Sequence, residues 1–200
     1  YILDYPWVLR RRLQVAPNFL NDELSVNPFP VKNSNSELTI AVVGRYSFQK
    51  DSDRVLSFVN QLAKIGKVRV GVYGSGYQDV EKSHMDPKIK FYGPVKAWYK
   101  EKIDICVLLS RWEGIPNVFL ESMASGIVCL GETKTKGVRD LLNFDRGFLG
   151  RDEQELLEIV QVLKYERIFF ENTRIKAYYF AQQFNKNNVK GCWLAFHRNE

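Results

Sequence analysis

Three apolar runs with no polar alternation constrain this chain most: Leu38 to Gly44, Ile103 to Leu109 and Ile127 to Gly131. A strand with one wet face alternates apolar and polar residues. A strand covered on both faces does not, and such strands belong to parallel sheets. Between the runs, Asp51 to Lys64 has Val55, Phe58, Val59, Leu62 and Ile65 at helical spacing. Val68–Tyr73, Ile89–Gly93 and Arg146–Leu149 supply further short strands, with a short helix around Ala97–Lys100. Strands alternating with helices at this rhythm predict right-handed βαβ units. The fold class is therefore α/β, a Rossmann-like doubly wound parallel sheet of about six strands with a helical C-terminus.

Pro, Asn and Ser in Asn27 to Ser36 mark residues 1–36 as a linker or edge segment. Residues 37–165 form the sheet domain, and 166–200 read as C-terminal helices. Gly74-Ser75-Gly76 reads as a tight strand-to-helix turn after the second strand. It lacks the third glycine of a dinucleotide fingerprint, since Asp79 stands three residues after Gly76.

The net charge of +6 biases the protein toward anionic partners. Arg10-Arg11-Arg12 reads as a solvated basic patch rather than a nucleic-acid site, and no RNA-reading or zinc-finger spacing occurs. Cys106, Cys129 and Cys192 have no metal or redox spacing, and their odd number predicts a reducing, cytoplasmic setting. No apolar stretch approaches the roughly 18 residues that would span a bilayer. The chain opens on Tyr1-Ile2-Leu3-Asp4 without Met, which reads as a piece of something longer.

Chemistry concentrates at the predicted C-terminal edge of the sheet, where open α/β folds bind ligands. The segment Ser110 to Gly126 leaves a strand, crosses a Gly/Pro loop and enters a helix, carrying Glu113 and Glu121. Two carboxylates there suit hydroxyl-rich groups. Gly44-Arg45 ends the first strand and Lys50 precedes the next helix, so two cations are expected over the same crevice. Pro116 suits the first helical turn, where a missing N–H costs nothing, and leaves the amides of Asn117 and Val118 as the free N-terminal donors of the helix, a cradle for phosphate.

Ser110-Arg111-Trp112-Glu113-Gly114-Ile115-Pro116-Asn117, followed by Leu120-Glu121-Ser122-Met123-Ala124 and Gly126, resembles the E-x7-E signature of retaining glycosyltransferases of family 4, which have the GT-B fold. Gly44-Arg45 with Lys50, Phe91 to Val95, Gly137 to Asp140 and Val15 to Asn18 resemble that family's phosphate-binding pair, its F-x-G-x-V strand, its G-G-x-x-E turn and its V-I-P-N-G segment. The closing stretch 185–198, through Trp193, resembles the helix that packs back on the N-terminal half.

The resemblance implies a donor site for a UDP- or GDP-sugar. Glu113 would meet the transferred sugar and Glu121 the ribose. Arg45 and Lys50 would neutralise the diphosphate, and Gly44, Gly114, Ile115, Asn117 and Val118 would line the donor. The backbone from Tyr92 to Val95 would meet the base. No metal or other cofactor is implied. The acceptor, a glycan or lipid-linked glycan, would bind an N-terminal domain that this chain does not include. Nucleic acid is not expected as a partner. Membrane contact would be peripheral, at the inner face, and made by the longer protein.

The chain departs from the family at Asp51, where Gly is usual after the Lys, and at Gly131 to Lys136, which replaces an S-D-x-G approach. Two other readings stand beside this one: a non-catalytic sugar-nucleotide-binding or interaction domain of the same fold, and a nicotinamide-dependent oxidoreductase resting on the Gly74 turn.

Overall fold

The computed structural model describes residues 18–25 and 37–197. Arg10-Arg11-Arg12, Val15 to Pro17, the stretch 26–36 and the side chains of Cys192 and Trp193 lie outside the described residues.

Six strands form one parallel sheet: β1 (Leu38–Val43), β2 (Val68–Tyr73), β3 (Ile89–Gly93), β4 (Ile105–Leu108), β5 (Val128–Glu132) and β6 (Phe148–Gly150). Their order is β3-β2-β1-β4-β5-β6. The chain thus steps outward from β1 in one direction, then returns to pair β4 on its other side. The boundary between β1 and β4 is the switch point, where helices leave for opposite faces and a crevice opens above the strand ends.

The apolar runs are covered on both sides, as their lack of alternation predicts. Ile40, Val42, Ile105 and Val107 face a core formed with α2 (Ser52–Ala63) and α5 (Glu153–Leu163). Ala41, Val43, Cys106 and Leu108 face a second core under α3 (Asn117–Ala124), α4 (Lys136–Leu142) and α6 (Arg167–Ala181). Period-two alternation therefore divides each strand between two apolar layers. Leu20 and Leu24, the latter in the short helix α1 (Asp22–Ser25), are buried in this second core, and the Leu20 amide donates to the Phe184 carbonyl at 2.8 Å. The last helix, α7 (Lys186–His197), follows a 3-10 turn over Gln182–Phe184. No described helix is long and apolar enough to cross a membrane.

Two local expectations are corrected. No helix follows the Gly74–Gly76 turn, for residues 77–88 cross to β3 as turns. Asp79, Ser83, Asp86 and Pro87 leave that stretch without an apolar period. Instead, Tyr77 packs into the α2 core and Asn60 of α2 accepts from the Asp86 amide at 2.8 Å. Gly74 has φ of +148°, and a Cβ there would lie 1.9 Å from the Gly44 carbonyl oxygen, so the turn needs glycine for close approach to β1. The second correction concerns Gly137 to Asp140, expected as a turn. These residues lie inside α4.

Candidate functional site

Two loops meet above the switch point: residues 44–51 after β1 and residues 109–116 after β4. They are stitched together by backbone and side-chain bonds. The Arg111 amide donates to the Gln49 carbonyl at 2.9 Å, and Gln49 Nε2 donates to the Trp112 carbonyl at 3.3 Å. Across this seam Lys50 Nζ lies 2.5 Å from Glu113 Oε1. Both side chains are largely shielded, at 18% and 9% exposure, so water screens the contact weakly. Two residues that the sequence places on separate elements are thus one charge pair at the centre of the crevice.

Asp51 explains one departure noted in the sequence. Its backbone is left-handed, with φ of +52°, a region glycine favours and Asp tolerates better than most. Its carboxylate accepts from Arg111 at 2.7 Å, which ties the two loops a second time.

Pro116 is the residue before the first turn of α3, not within it. Its carbonyl accepts from the Phe119 and Leu120 amides at 3.0 and 3.3 Å. The amides of Asn117 and Val118 precede these bonds, so they remain as the outward-pointing donors of the helix N-terminus. Asn18 donates to Asn117 Oδ1 at 2.7 Å, bringing the segment before β1 to this end of α3.

Glu121 sits one turn further along α3 and is half-buried. Its Oε2 accepts from Trp98 Nε1 at 3.3 Å. Burial pushes its carboxyl pKa up, and the indole hydrogen bond pulls it partly back. Glu121 lines a cleft of about 310 Å³ together with Phe19, Asn21, Asn117, Leu120 and Lys186.

Gly44 closes the β1 end beneath the Lys50 stem, with a hypothetical Cβ 3.3 Å from Lys50 Cγ. Arg45, next in sequence, is exposed and forms no ion pair with a described residue. Gly114 and Ile115 lie exposed on the loop between Glu113 and α3. Tyr92, in the edge strand β3, and Val95, just beyond it, stand apart from the switch point, with exposures of 49% and 37%. Aromatic rings link Tyr92 to the centre. Tyr92 stacks on Tyr73 with centroids 4.6 Å apart, and Tyr73 meets Trp98 at 6.3 Å. Burial, with Tyr92 beside it, pushes the Tyr73 hydroxyl to about 12, so it stays protonated.

Four residues were not visible as site residues in the sequence. Arg54 in the first turn of α2 contacts Glu132 and Glu153 and lies 3.5 Å from Asp51. Burial opposes its charge, yet Glu132 and Glu153 hold its pKa above the ordinary value. Glu132, at the end of β5, is fully buried. A lone Arg on a helix surface and a Glu ending a strand carry no spacing signal. Trp98 and Asn18 likewise gain meaning only from contacts across about twenty and one hundred residues of chain. Cys106 and Cys129 are buried thiols, and burial pushes Cys106 to about 12, so it is inert at neutral pH. Among the described residues, no group of three His, Cys, Asp or Glu is arranged to hold a metal ion.

A doubly wound parallel sheet with a cation–carboxylate pair at its switch point places the chain among α/β proteins that bind ligands above their strand ends. More narrowly, the chain belongs to the group 1 glycosyl transferases, whose family model matches residues 37–164. No curated protein shows significant sequence similarity to it. Among solved structures it is similar to Alr3699/HepE from Anabaena in complex with UDP-glucose, at 19% identity and a TM-score of 0.69 over 81% of this chain and 49% of that one. It is also similar to sucrose-phosphate synthase from Thermosynechococcus elongatus, at 17% identity and a TM-score of 0.74 over 96% of this chain and 55% of that one. TarM matches at 17% identity and a TM-score of 0.72, over 88% of this chain and 37% of that one. The chain is a glycosyltransferase domain with the GT-B type of α/β fold, and it spans about half the length of these structures or less.

Proposed function

We propose that the chain is the donor-binding half of a retaining glycosyltransferase of family 4, taking a sugar from a UDP- or GDP-linked donor. The observation that carries this reading is the Lys50–Glu113 pair at the switch point, beside the first turn of α3. One group there suits a phosphate and the other a sugar hydroxyl, within one side chain's reach of each other.

In this reading the diphosphate lies between Lys50, Arg45 and the amides of Asn117 and Val118. Negative charge grows on it as the glycosidic bond breaks, and fixed cations and amides stabilise that charge without reorganising. Glu113 orients the transferred sugar through its hydroxyls, and Glu121 accepts from the ribose diol. Gly44, Gly114 and Ile115 let the backbone approach the donor, while Tyr92 to Val95 meet the base. The reaction is metal-independent. The acceptor, a glycan or lipid-linked glycan, binds a further domain of a longer protein working at the cytoplasmic face of a membrane, in polysaccharide assembly. The 166–200 stretch packs toward that domain. The UDP-glucose bound by Alr3699/HepE supports UDP as the first nucleotide to try.

Calorimetry with UDP, GDP and NAD, each with and without EDTA, tests the site. Saturable binding of a nucleoside diphosphate that survives EDTA supports it. Binding of none of them sinks it, and binding of NAD alone redirects it to redox chemistry. Donor turnover by the longer protein, lost in Glu113→Ala, separates an enzyme from a non-catalytic domain of this fold.

A further inference from the structure

The carboxylate of Glu121 occupies an awkward place. It is half-buried under α3, where burial opposes its charge, yet the role proposed for it needs a charged acceptor. Among the described residues, the hydrogen-bond donor that reaches it is the indole of Trp98, whose Nε1 lies 3.3 Å from Oε2. Trp98 opens the 3-10 turn Trp98–Lys100 and is 4% exposed. Tyr73 and Tyr99 flank its ring, with centroids at 6.3 and 6.1 Å. The donor is therefore fixed by packing before any ligand arrives.

An indole N–H donates and cannot accept, so it favours a carboxylate over a carboxylic acid. It also engages one oxygen, Oε2, and leaves the second. Other polar groups surround the site. Asn117 stands at the start of the same helix, Asn21 and Lys186 line the cleft with it, and the Cys106 thiol of β4 is near enough to feel the Glu121 charge. Of these, Cys106 is held neutral by burial.

We propose that Trp98 is a positioning residue for Glu121: its indole pins one carboxylate oxygen and favours the charged form, leaving the other oxygen to a ligand diol in the 310 Å³ cleft. This rests on the reading of Glu121 as the ribose-binding group. Leu, Phe or Tyr would fill the same apolar space. Of the large apolar side chains, Trp alone brings an N–H at that position, so the residue contributes more than packing.

The test is a comparison of wild type, Trp98→Phe, Glu121→Gln and the double variant. Trp98→Phe keeps an aromatic ring and removes the N–H. In ¹H–¹⁵N spectra, the indole signal missing from Trp98→Phe identifies Trp98 among the four tryptophans. That signal is expected to move with pH as Glu121 titrates, and to stop moving in Glu121→Gln. The Glu121 carboxyl, followed by ¹³C, is expected to titrate at higher pH in Trp98→Phe. UDP should bind Trp98→Phe about tenfold more weakly at neutral pH, the size of one lost bond to a charged group. The fall-off of binding in acid should move upward as well. In the Glu121→Gln background, Trp98→Phe should cost little further affinity.

An indole signal indifferent to pH overturns the proposal, as does an unchanged Glu121 titration in Trp98→Phe. An equal loss of affinity in both backgrounds means that Trp98 serves packing alone, which also overturns it. If wild type binds no nucleoside diphosphate while both titrations behave as expected, the donor reading fails and the coupling of indole to carboxylate stands.

Discussion

Gly137 is the second residue of α4, and the exchange Gly137→Ala sets two well-characterised effects against each other. Within a helix, Ala is favoured over Gly by about 0.8–1.0 kcal/mol. By propensity alone the variant should be the more stable protein. The tertiary contact has the opposite sign. A Cβ at Gly137 would lie 1.6 Å from the Gly114 carbonyl oxygen and 2.5 Å from that of Glu113. An ordinary carbon–oxygen contact is about 3.3 Å or more, so the chains must separate by well over an ångström. Both neighbours are backbone, which has no alternative rotamer to adopt. Overpacking of this kind costs about 1–3 kcal/mol, and this overlap falls at the upper end. The contact outweighs propensity, leaving a net loss of about 1–2 kcal/mol. For a chain of this size that lowers Tm by roughly 2–8 °C.

The displacement also reaches the site. Glu113 can retain its 2.5 Å contact with Lys50 only if the loop after β4 stays where α4 holds it. Moving its backbone by an ångström opens the pair, and misplacement on that scale can cost about a hundredfold in catalysis. Gly66→Ala is the matched control, since a Cβ there meets nothing within 4 Å. Thermal unfolding followed by circular dichroism, with UDP calorimetry alongside, reads both effects. If Gly137→Ala melts at or above the wild-type temperature while Gly66→Ala behaves alike, the close approach of α4 to the Glu113 loop is not a constraint and the reasoning fails.

Glu132→Ala removes the fully buried partner of Arg54, which keeps Glu153 and Asp51, so the loss is that of one charged hydrogen bond, about 1.5–3 kcal/mol; a lowered urea midpoint at unchanged slope is expected, and wild-type stability would contradict it. Glu121 has a folded-state pKa raised by burial, so the stability it contributes is present below the unfolded value and is lost as pH rises through the folded one. Glu121→Gln should therefore melt higher than wild type at neutral pH, with the gap closing below about pH 4, while binding UDP more weakly; a Tm difference that does not depend on pH would count against it. Arg45 is exposed and makes no ion pair with a described residue, so Arg45→Ala should leave stability within about 0.5 kcal/mol. The same variant should bind UDP about tenfold more weakly and uridine as before, and equal losses for both ligands would remove Arg45 from the diphosphate.

What could be read from the sequence divides by the range of the interaction. Strands β1, β4 and β5 were legible because burial on both faces writes itself into every residue of a short run. Helix α2 was legible because its buried residues recur at 3.6. The stretch 77–88 departs from expectation because a glycine turn after a strand usually starts a helix, whereas here Tyr77 packs into the α2 core and the Asp86 amide donates to Asn60. Element ends moved by a residue or two, since Asp51 and Pro116 cap their helices without being part of them.

The candidate site divides in the same way. Lys50, Glu113 and Glu121 stood out because they flank elements at a sheet edge, and topology alone then brings the first two together. Each adjacent parallel strand must end in a loop at the same edge, so β1 next to β4 forces residues 44–51 against 109–116 whatever their side chains are. The residues that were not legible are those whose partners depend on side-chain packing rather than on strand order. Trp98 reaches Glu121 across the second core, and Arg54 reaches Glu132 across the end of β5. Strand order can be inferred from periodicity, whereas such contacts depend on how two packed layers lock in register. In this chain the backbone topology places the charges, and the packed side chains hold them where they can act on a ligand.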